Sequence, residues 1–573
     1  MKPQLRISLG QHSDRGREPG NQDCHGCCQP AQPQLHLKGV ALAMADGIST
    51  SDVSHIASET AVRSFLEDYF CTSEAWSVRH SVEQVLAATN AWLYSQTQGS
   101  PYRYERDRGY ACTLSVLVLK ATTAYLFHAG DTRIYRLRDQ ALEQLTNDHR
   151  LWVSKDQSYL SRALGVESLV EFDHQALPLQ VGDLFLLATD GVYEHVDTAS
   201  ILATITRFPQ DLDQAARSIV QQAYDNGSED NLSLQVVRIE ELPQTTGQDL
   251  ARDIEDLPLP PVLEAGSEFD GYRIQHELHA NSRSHVYLAT DIASGERVIL
   301  KTPSIDLGHD PAYLERFLLE EWIARRVHSN HVMAAGPQSR PRRFLYTVTE
   351  YIEGQTLAQW LRDNPAPDTE TVRQVVEQIA RGLYALHRMD ILHQDLRPEN
   401  VMIEPGGTVK LIDLGAARVA GIVEAEGPDH GNPLPGTALY MAPEYVLGEP
   451  GTERSDLYSL AVITYHMLSG QFPYGTQVAK ARTLAAQRRL NYQSVLHEER
   501  EIPAWIDDTL RQALHPNVDR RTPELSEFIF DLRHPNRAYR NRTRPPLVER
   551  NPVAFWQGVS ALMAVTIVLL LAR

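Results

Sequence analysis

The stretch ILHQDLRPEN at residues 391–400 decides the fold of the second half of this chain. Two further phrases follow it in order, LIDLG at 411–415 and GTALYMAPE at 436–444. Each phrase places polar residues beside apolar ones over a short distance, and each taken alone is a weak signal. An ordered set of three is far more specific than any one of its members.

The surroundings of these phrases predict two lobes. From about Tyr272 to Tyr351 the sequence is rich in strand-like runs, among them RVILK at 297–301. Long helical patterns come afterwards, at Asp368–Met389 and Asp456–Ser469. Strands followed by helices indicate a small β lobe that packs on a larger helical lobe.

In order and content the three phrases resemble those of the serine/threonine protein kinases, and the resemblance covers residues 270–533. It implies a bilobal fold that binds ATP with Mg²⁺ and phosphorylates protein substrates. Asp395 is expected to accept the proton of the substrate hydroxyl, and Asp413 and Asn400 to hold Mg²⁺. Lys301, at the end of RVILK, is expected to grip the α and β phosphates.

Several positions around these residues refine the prediction. Glu320 is the expected partner of Lys301, and its neighbour Glu321 is the alternative. Arg397 stands where the family usually has lysine, and we expect it to contact a phosphate as a planar fork. Gln394 replaces the arginine that normally reads a phosphorylated activation loop, so that phosphorylation is not expected to switch activity.

The nucleotide loop departs most from the family. Where a glycine-rich loop is expected, the chain reads HANSRSH at 279–285, without glycine. Glycines allow close approach of the backbone to phosphates, so weaker ATP binding is expected. Ser284 and Val286 are still expected to contact the nucleotide. Two structural roles are also predicted: Asp456 as the buried anchor of a helix, and a pair between Glu444 and Arg521.

The first part of the chain has a different pattern. Strand-like runs occur at 113–119, 184–188 and 232–237, with helical stretches at Ser54–Tyr69 and Ser81–Gln96. An α+β domain with several buried strands is the prediction.

Four acidic phrases recur in this domain: NQD at 21–23, ADG at 45–47, TDG at 189–191 and EDN at 229–231. Carboxylates at strand ends, beside Gly or Asn, can collect hard oxygen ligands around Mg²⁺ or Mn²⁺. Two such ions sharing a water would create a nucleophile for attack on a phosphate ester. A single Asp-Gly is more often a turn, so only the set carries this argument.

Together with AGDTRIY at 129–135 and LTNDH at 145–149, these phrases resemble the type 2C metal-dependent protein phosphatases over residues 5–238. The resemblance implies an α/β/β/α sandwich with a site for two Mn²⁺ or Mg²⁺ ions at one end, and a weaker third ion. It implies the metal-binding residues Asp46, Gly47, Asp190, Asp230, Asp23 and Asp131.

Within that set, Asp46 is expected to bridge both ions while the Gly47 carbonyl binds one of them. Asp190 and Asp230 are expected to complete the other, and Asp23 to act through water. Arg17 is the candidate for holding the substrate phosphate, although the segment SDRGREPGN at 13–21 is one residue shorter than the commonest family spacing. Two departures, IST at 48–50 and ACT at 111–113, alter the rim more than the ligands.

Composition limits the class of partner. The net charge of -20 argues against nucleic acid, which requires clustered Lys and Arg. Protein substrates and ATP are the expected partners. Five cysteines, three of them at 24, 27 and 28, indicate a reduced, cytosolic setting. Half a zinc site is the alternative to small residues in a loop at that position.

The C-terminal end predicts membrane attachment. Residues 553–572 are 20 uncharged residues, enough for one transmembrane helix, after a basic connector at 534–552. The basic residues would place the catalytic domains in the cytoplasm, as a single-pass protein of a bacterial inner membrane. A buried core helix is the alternative. A Pro-rich, acidic stretch at 239–269 is predicted as an extended linker.

Taken together, the sequence predicts an α+β multidomain enzyme tethered to a membrane: phosphatase, linker, kinase and transmembrane helix. One alternative is an active phosphatase that is regulated or localised by a pseudokinase, which the glycine-free loop favours. A second is a non-catalytic membrane scaffold.

Overall fold

The structure is a computed structural model of the 573-residue chain. It describes residues 4–154, 157–243, 257–280, 284–304, 310–337, 340, 342–426, 439–496, 501–536 and 539–540, with Trp556, Gln557, Val559 and Met563.

The first domain contains twelve strands and six helices among the described residues. The strands are β1 (Arg6–Asp14), β2 (Cys24–Cys28), β3 (Val40–Ala45), β4 (Leu114–Lys120), β5 (Thr123–Ala129), β6 (Arg133–Arg138), β7 (Ala141–Gln144), β8 (Arg150–Ser154), β9 (Gln157–Leu160), β10 (Asp173–Pro178), β11 (Leu184–Ala188) and β12 (Leu232–Glu241). The helices are α1 (Gln34–Lys38), α2 (Ser54–Asp68), α3 (Val78–Gly99), α4 (Asp190–Tyr193), α5 (Thr198–Arg207) and α6 (Leu212–Asp225).

Two antiparallel sheets form the centre of this domain. One has the order β1-β12-β11-β6-β7 and the other β10-β5-β4-β3-β2. Apolar side chains from both sheets, such as Leu42, Leu117 and Phe185, fill the space between them. Helices α2 and α3 cover the outer face of the second sheet, and α5 and α6 that of the first. The layers are therefore helix, sheet, sheet and helix.

The predicted strands and helices of this domain are found close to their predicted positions, because runs of apolar residues mark strands that are buried on both faces. Strand β4, for example, is buried at every residue. The segment Cys24–Cys28 was predicted as a loop, and this is wrong: it is β2, paired with β3. Its cysteines are free thiols.

Part of the predicted linker packs against the second domain. Leu263 is buried in the core of the β lobe, and Leu257 and Leu259 pack beside Phe317 and Leu345. The Leu345 N–H donates to the Pro258 carbonyl at 3.0 Å. This part of 239–269 is ordered because its leucines bury apolar surface; residues 244–256 lie outside the described residues.

The second domain begins with strands and continues with helices. Its strands are β13 (Glu268–Phe269), β14 (Tyr272–Ala280), β15 (Ser284–Asp291), β16 (Arg297–Pro303), β17 (Thr347–Glu350), β18 (Gln355–Thr356), β19 (Ile391–Leu392), β20 (Val401–Ile403), β21 (Val409–Leu411) and β22 (Arg418–Val419). Its helices are α7 (Pro311–Arg326), α8 (Leu357–Asp363), α9 (Thr369–His387), α10 (Ala420–Glu426), α11 (Pro443–Val446), α12 (Glu453–Ser469), α13 (Leu484–Gln487), α14 (Ala504–Ala513) and α15 (Leu525–Arg533).

These elements form two lobes. Strands β13 to β17 make one antiparallel sheet in chain order, and α7 packs on it. The larger lobe is built around α9 and α12, which contact each other and α14 and α15. The layout of both domains fits the predicted α+β multidomain class.

Two predicted structural interactions of the larger lobe are confirmed. The Asp456 carboxylate is buried and accepts hydrogen bonds from the backbone N–H groups of His393 and Gln394, at 2.9 and 3.0 Å. The Arg521 guanidinium donates to both oxygens of Glu444, at 2.8 and 2.6 Å. The side chains of this second pair are 0% and 4% exposed.

We expect Glu444→Gln to destabilise the larger lobe strongly, because it leaves the buried Arg521 charge without its partner. Loss of one member of a buried pair costs about 3 kcal/mol or more. Hydrogen exchange of the α12 amides as a function of urea would measure the loss. Glu67→Gln, in the exposed pair with Arg63, is the matched control and should have little effect; equal destabilisation by the two variants would contradict this prediction.

The prediction of a transmembrane helix is corrected by the structure. No helix among the residues described is both long and apolar enough to cross a bilayer. By this finding, the prediction of a transmembrane helix at 553–572 is wrong. The prediction of a membrane location with cytoplasmic catalytic domains is wrong with it. Crossing needs about 20 consecutive apolar residues, whereas α3, with 22 residues, exposes polar side chains along one face. Most of 553–572 lies outside the described residues.

Two candidate active sites

Strand ends bring four aspartates to one end of the first domain. Asp23 precedes β2 and Asp46 follows β3, and Cys24 pairs with Ala45 in the register of these strands. Asp190 follows β11 as the first residue of α4, and Asp230 lies just before β12. Because β2 and β3 belong to one sheet and β11 and β12 to the other, the two sheets each contribute a pair.

Hydrogen bonds from neighbouring residues orient these groups. The Thr113 hydroxyl accepts from the Asp46 N–H at 3.0 Å, and the Thr113 N–H donates to the Asp46 carbonyl at 2.8 Å. The Thr189 hydroxyl donates to Oδ2 of Asp23 at 2.9 Å. Gly47 is required by close packing, since a Cβ there would lie 2.9 Å from the Ser54 side chain.

Burial and mutual repulsion raise the pKa of several of these carboxyls. Burial is the larger cause for Asp46, followed by repulsion from Asp23, Asp190, Asp131 and Asp230, and its pKa lies well above the usual value. Burial is the largest cause for Asp190 and repulsion from Asp131 the second; together they raise its pKa to about 7. Burial raises the pKa of Asp23 to about 6. The site thus gathers acidic groups in a buried place where, without a counter-charge, their ionised form is disfavoured.

The chemistry of these groups fits divalent cations. Oδ1 of Asp23 and Oδ1 of Asp190 are buried without a hydrogen-bond partner, as oxygens reserved for a cation would be. The positions of the side chains are not those of a closed metal site, however: among the described residues no three His, Cys, Asp or Glu groups are arranged to hold an ion. Asp46, Asp23, Asp190 and Asp230 are the residues that could hold Mn²⁺ or Mg²⁺.

An arginine that the sequence did not single out lies among the carboxylates. Arg150 donates to Asp131 at 2.5 Å, to Asp190 at 2.7 Å and to Glu194 at 2.8 Å. It offsets part of the negative charge and holds Asp131 and Asp190 in ion pairs. Nothing in the sequence marks Arg150, which only follows the LTNDH phrase; its role depends on the path of the chain between β7 and β8.

The remaining predicted residues of this site are placed differently. Asp131 lies beside Asp190, and its backbone carbonyl accepts from the Tyr193 hydroxyl at 3.0 Å. Arg17 donates to the carbonyls of Tyr224, at 3.0 Å, and of Ser228, and packs over the Tyr224 ring. Its hydrogen bonds therefore go to the end of α6 and not to the carboxylates.

In the second domain, the small lobe and α7 bring a lysine and two carboxylates together. Nζ of Lys301, on β16, lies 2.6 Å from Glu320 of α7 and 3.5 Å from Asp413. Glu321 instead pairs with Arg325 and Arg342. Lys301 is therefore paired with Glu320 and not with its neighbour.

The charges of this trio depend on one another. Burial disfavours the charged form of Lys301, but the carboxylates of Glu320 and Asp413 outweigh it and raise the lysine pKa. Lys301 in turn is the main cause of the lowered pKa of Asp413. Burial raises the pKa of Glu320. Asp413 also has a left-handed backbone, with φ of 60°, a conformation that costs energy and is found at functional sites.

The loop after β19 presents the other polar groups. Nδ2 of Asn400 donates to the carbonyl of Asp395 at 2.8 Å and to its Oδ2 at 3.1 Å. The Ile412 N–H donates to the Asn400 carbonyl at 2.9 Å, which links this loop to the segment that carries Asp413. Burial raises the pKa of Asp395, and the neighbouring Arg397 guanidinium opposes that shift.

Three predicted positions complete the description. Arg397 pairs with Glu399 at 3.1 Å. Ser284 begins β15, opposite Pro303, and Val286 is opposite Lys301 in the same sheet. Residues 281–283 of the predicted nucleotide loop lie outside the described residues.

Comparisons with known proteins agree with this division. The protein phosphatase 2C family matches residues 11–233, and the protein kinase domain family matches residues 272–532. The serine/threonine-protein kinase PknA of Corynebacterium glutamicum is 30% identical over 280 residues, which are 48% of this chain and 57% of that protein. This chain spans about half the length of the curated relatives it matches.

Solved structures match each half. The serine/threonine phosphatase PstP/Ppp of Mycobacterium tuberculosis is 23% identical, with a TM-score of 0.35, over 41% of this chain and 99% of that one. The PknI kinase domain of Mycobacterium tuberculosis is 22% identical, with a TM-score of 0.37, over 48% of this chain and 99% of that one. On the two family matches, the chain joins a protein phosphatase 2C domain to a protein kinase domain.

Proposed function

We propose that this chain is a bifunctional signalling enzyme, which hydrolyses phosphoserine and phosphothreonine esters in one domain and transfers phosphate from ATP to protein hydroxyls in the other. The observation that carries the proposal is that each domain gathers its own set of charged groups: buried aspartates in the first, Lys301 with Glu320 and Asp413 in the second.

In the phosphatase domain, Asp46, the Gly47 carbonyl, Asp190, Asp230 and Asp23 would hold two Mn²⁺ or Mg²⁺ ions. When bound, such ions activate water at neutral pH and offset the charge of the phosphate ester. The task of the protein is to keep the carboxylates fixed: the Thr189 hydroxyl donates to the Asp23 carboxylate, and Thr113 holds the backbone of Asp46. Asp131 is the proposed ligand of a weaker third ion, and Arg17 the proposed phosphate contact.

In the kinase domain, Asp395 accepts the proton of the substrate hydroxyl, and Asn400 fixes the Asp395 carboxylate through its hydrogen bond. Lys301, held in place by Glu320, binds the α and β phosphates of ATP. Asn400 and Asp413 are the groups that hold Mg²⁺, and Arg397 adds positive charge beside Asp395. Ser284 and Val286 would contact the nucleotide.

The two reactions act on the same bond in opposite directions, so a reversible switch is the simplest use of the chain. Attachment of both domains to one polypeptide raises the local concentration of each near the other. The phosphatase domain can then remove phosphates that the kinase domain places on itself or on a shared protein substrate.

A second candidate function has one specific observation in its favour. The segment HANSRSH at 279–285 contains no glycine, and a loop without glycine cannot approach the phosphates as closely. On this hypothesis the second domain is a pseudokinase that regulates or localises an active phosphatase.

Metal removal tests the phosphatase half. With a phosphothreonine peptide as substrate, we expect EDTA to lower hydrolysis by about a hundredfold or more, because activation of water by the ions is lost. Addition of Mn²⁺ in excess of the chelator should restore the rate. Hydrolysis that continues at the same rate in EDTA would exclude this mechanism.

Phosphoryl transfer tests the kinase half and separates it from the pseudokinase hypothesis. The full chain is incubated with labelled ATP, Mg²⁺ and a generic protein substrate. Transfer that requires Lys301 supports the kinase. Binding of ATP without transfer by the unaltered chain, together with normal hydrolysis of phosphopeptide, would favour the pseudokinase.

A further inference from the structure

The two domains contact each other through a small surface of the phosphatase domain. This docking face consists of helix α1 (Gln34–Lys38), which packs on α10, of Glu74–His80, which precede and begin α3, and of Lys120 at the end of β4. It meets three parts of the kinase domain: α10, the residues before β19, and the end of α7.

Helix α10 makes the most extensive of these contacts. The Gly421 N–H donates to the Ala75 carbonyl at 3.0 Å, and Nζ of Lys120 donates to the Gly421 carbonyl at 2.6 Å. The Glu424 carboxylate lies 3.2 Å from Lys120 Nζ and accepts from the Val78 N–H at 2.8 Å. The two domains are thus joined here by hydrogen bonds to backbone groups and by one ion pair.

The side chains at this contact are buried as deeply as those of a domain core. Ala75 is fully buried in the hydrophobic cluster of the kinase domain, together with Ile422 and Val419. The Lys120 side chain is 1% exposed, and a buried ammonium group is tolerated only when it is paired. Its partner Glu424 and the acceptor carbonyl of Gly421 both belong to α10.

The second contact surrounds Asp390. Its carboxylate accepts from the N–H and the hydroxyl of Ser77, both at 3.0 Å, and lies 2.8 Å from Nδ1 of His80. The Trp76 indole donates to the Arg388 carbonyl at 3.0 Å and stacks on His80. In a third contact, Arg326 at the end of α7 pairs with Glu74 at 2.9 Å.

Each kinase element held in this way leads directly to a catalytic group. Asp390 precedes β19, which runs into the loop that carries Asp395. Strand β22 pairs with β19 and continues into α10, and it follows the segment of Asp413. Arg326 is on the same helix as Glu320. The docking face therefore contacts the elements that position three groups: the loop of Asp395, the segment of Asp413 and the helix of Glu320.

The kinase domain lacks the usual means of ordering this region by phosphorylation. Gln394 occupies the position of the arginine that reads a phosphorylated activation loop in the family that the sequence resembles. The Gln394 backbone N–H is held by Asp456 and its side chain is buried, and an uncharged amide offers a phosphate no ion pair. Another interaction must hold α10 in place.

We propose that the phosphatase domain is the internal activating partner of the kinase domain: its docking face holds α10 and Asp390 in the arrangement that keeps Lys301, Glu320 and Asp413 together. This inference rests on the proposed kinase function. It assigns the phosphatase domain a second role, which does not depend on hydrolysis, and makes kinase activity dependent on docking.

Gly421→Ala is a sharp test in the full chain. A Cβ on Gly421 would lie 2.4 Å from the Glu74 carbonyl oxygen and 2.8 Å from that of Trp76, so docking must loosen. Alanine is a better helix former than glycine, so the change does not itself unfold α10. Gly406→Ala is the matched control, since a Cβ there would meet nothing within 4 Å. Glu424→Gln, which removes the charge partner of Lys120, is an independent second variant.

Three measurements are compared between the variants: transfer from ATP, hydrolysis of p-nitrophenyl phosphate with Mn²⁺, and hydrogen exchange of 388–392 and 418–426. We expect Gly421→Ala to accelerate exchange and to lower transfer about tenfold, as a shift of about 1.4 kcal/mol in the docking equilibrium would. Glu424→Gln should act in the same direction. Hydrolysis should stay unchanged in both, and Gly406→Ala should match the unaltered chain.

Faster exchange with unchanged or increased transfer would overturn the inference, because docking would then be neutral or inhibitory. Unchanged exchange in Gly421→Ala would show that this interface does not form. Absence of transfer already in the unaltered chain would instead overturn the proposed kinase function, and the inference with it. Failure of the inference is seen in Gly421→Ala, whereas failure of the proposed kinase function is seen already in the unaltered chain.

Discussion

Replacement of Asp46 by asparagine should abolish hydrolysis of phosphate esters while transfer from ATP continues. Asp46 is the carboxyl on which the charges of Asp23, Asp190, Asp131 and Asp230 all act. An amide of the same size keeps the packing but removes the negative charge that two cations would share. We expect the rate of hydrolysis to fall by about a thousandfold, the equivalent of several kcal/mol of metal-dependent stabilisation.

The measurement is Mn²⁺-dependent hydrolysis of a phosphothreonine peptide by the full chain. Asp68→Asn is the matched control, because Asp68 is an exposed carboxyl at the end of α2. If the chain phosphorylates itself, Asp46→Asn should also retain more phosphate after incubation with ATP. Hydrolysis by Asp46→Asn at the normal rate would remove Asp46 from the site and leave the first domain with a non-catalytic role.

Replacement of Asp395 by asparagine should have the opposite effect: transfer from ATP is lost while hydrolysis of phosphate esters continues. The Asp395 carboxylate is held by Asn400 at 3.1 Å, and an amide in its place cannot accept a proton from the substrate hydroxyl. General-base catalysis contributes about 10² to 10⁴ in rate, so a loss of transfer in that range is expected. Hydrolysis by the phosphatase domain should be unaffected.

Transfer of labelled phosphate to a protein substrate measures this effect, with Asp363→Asn as the control, since Asp363 is exposed. The affinity for ATP should change little, because Lys301 and Asp413 are intact. A variant that still transfers at the normal rate would show that the phosphate found on the substrate does not come from this site. Paired with Asp46→Asn, the variant assigns each activity to its own domain.

The sequence predicted most of the elements that build the two folds. Runs such as 113–119 and 184–188 are buried strands because most of their residues are apolar, and the helices at 54–68 and 369–387 follow the period of their apolar positions. The pairs Lys301 with Glu320 and Glu444 with Arg521 were predicted from the resemblance to the protein kinases, with Glu321 left as an alternative to Glu320. Local pattern was sufficient for the strands and helices.

Other features depend on parts of the chain that are far apart in sequence. Arg150, the first residue of β8, forms ion pairs with Asp131 and Asp190, which lie 19 and 40 positions away in the sequence. Arg17, whose role as phosphate contact stays a prediction, is connected by its hydrogen bonds to the end of α6, more than 200 positions away in the sequence. Hydropathy alone predicted a membrane helix at 553–572, and no described helix meets the requirement for one.

The sequence by itself determined that two domains are present, which residue types each could use for chemistry, and where most strands and helices lie. These properties follow from composition and spacing within short segments. The tertiary structure alone decided which further charges meet, because Coulomb and hydrogen-bond energies depend on distances in space. These are Arg150 among the aspartates, and Lys120 with Glu424, which are more than 300 positions apart. That second contact joins the two domains, since the buried Lys120 ammonium group is paired with Glu424 of the other domain.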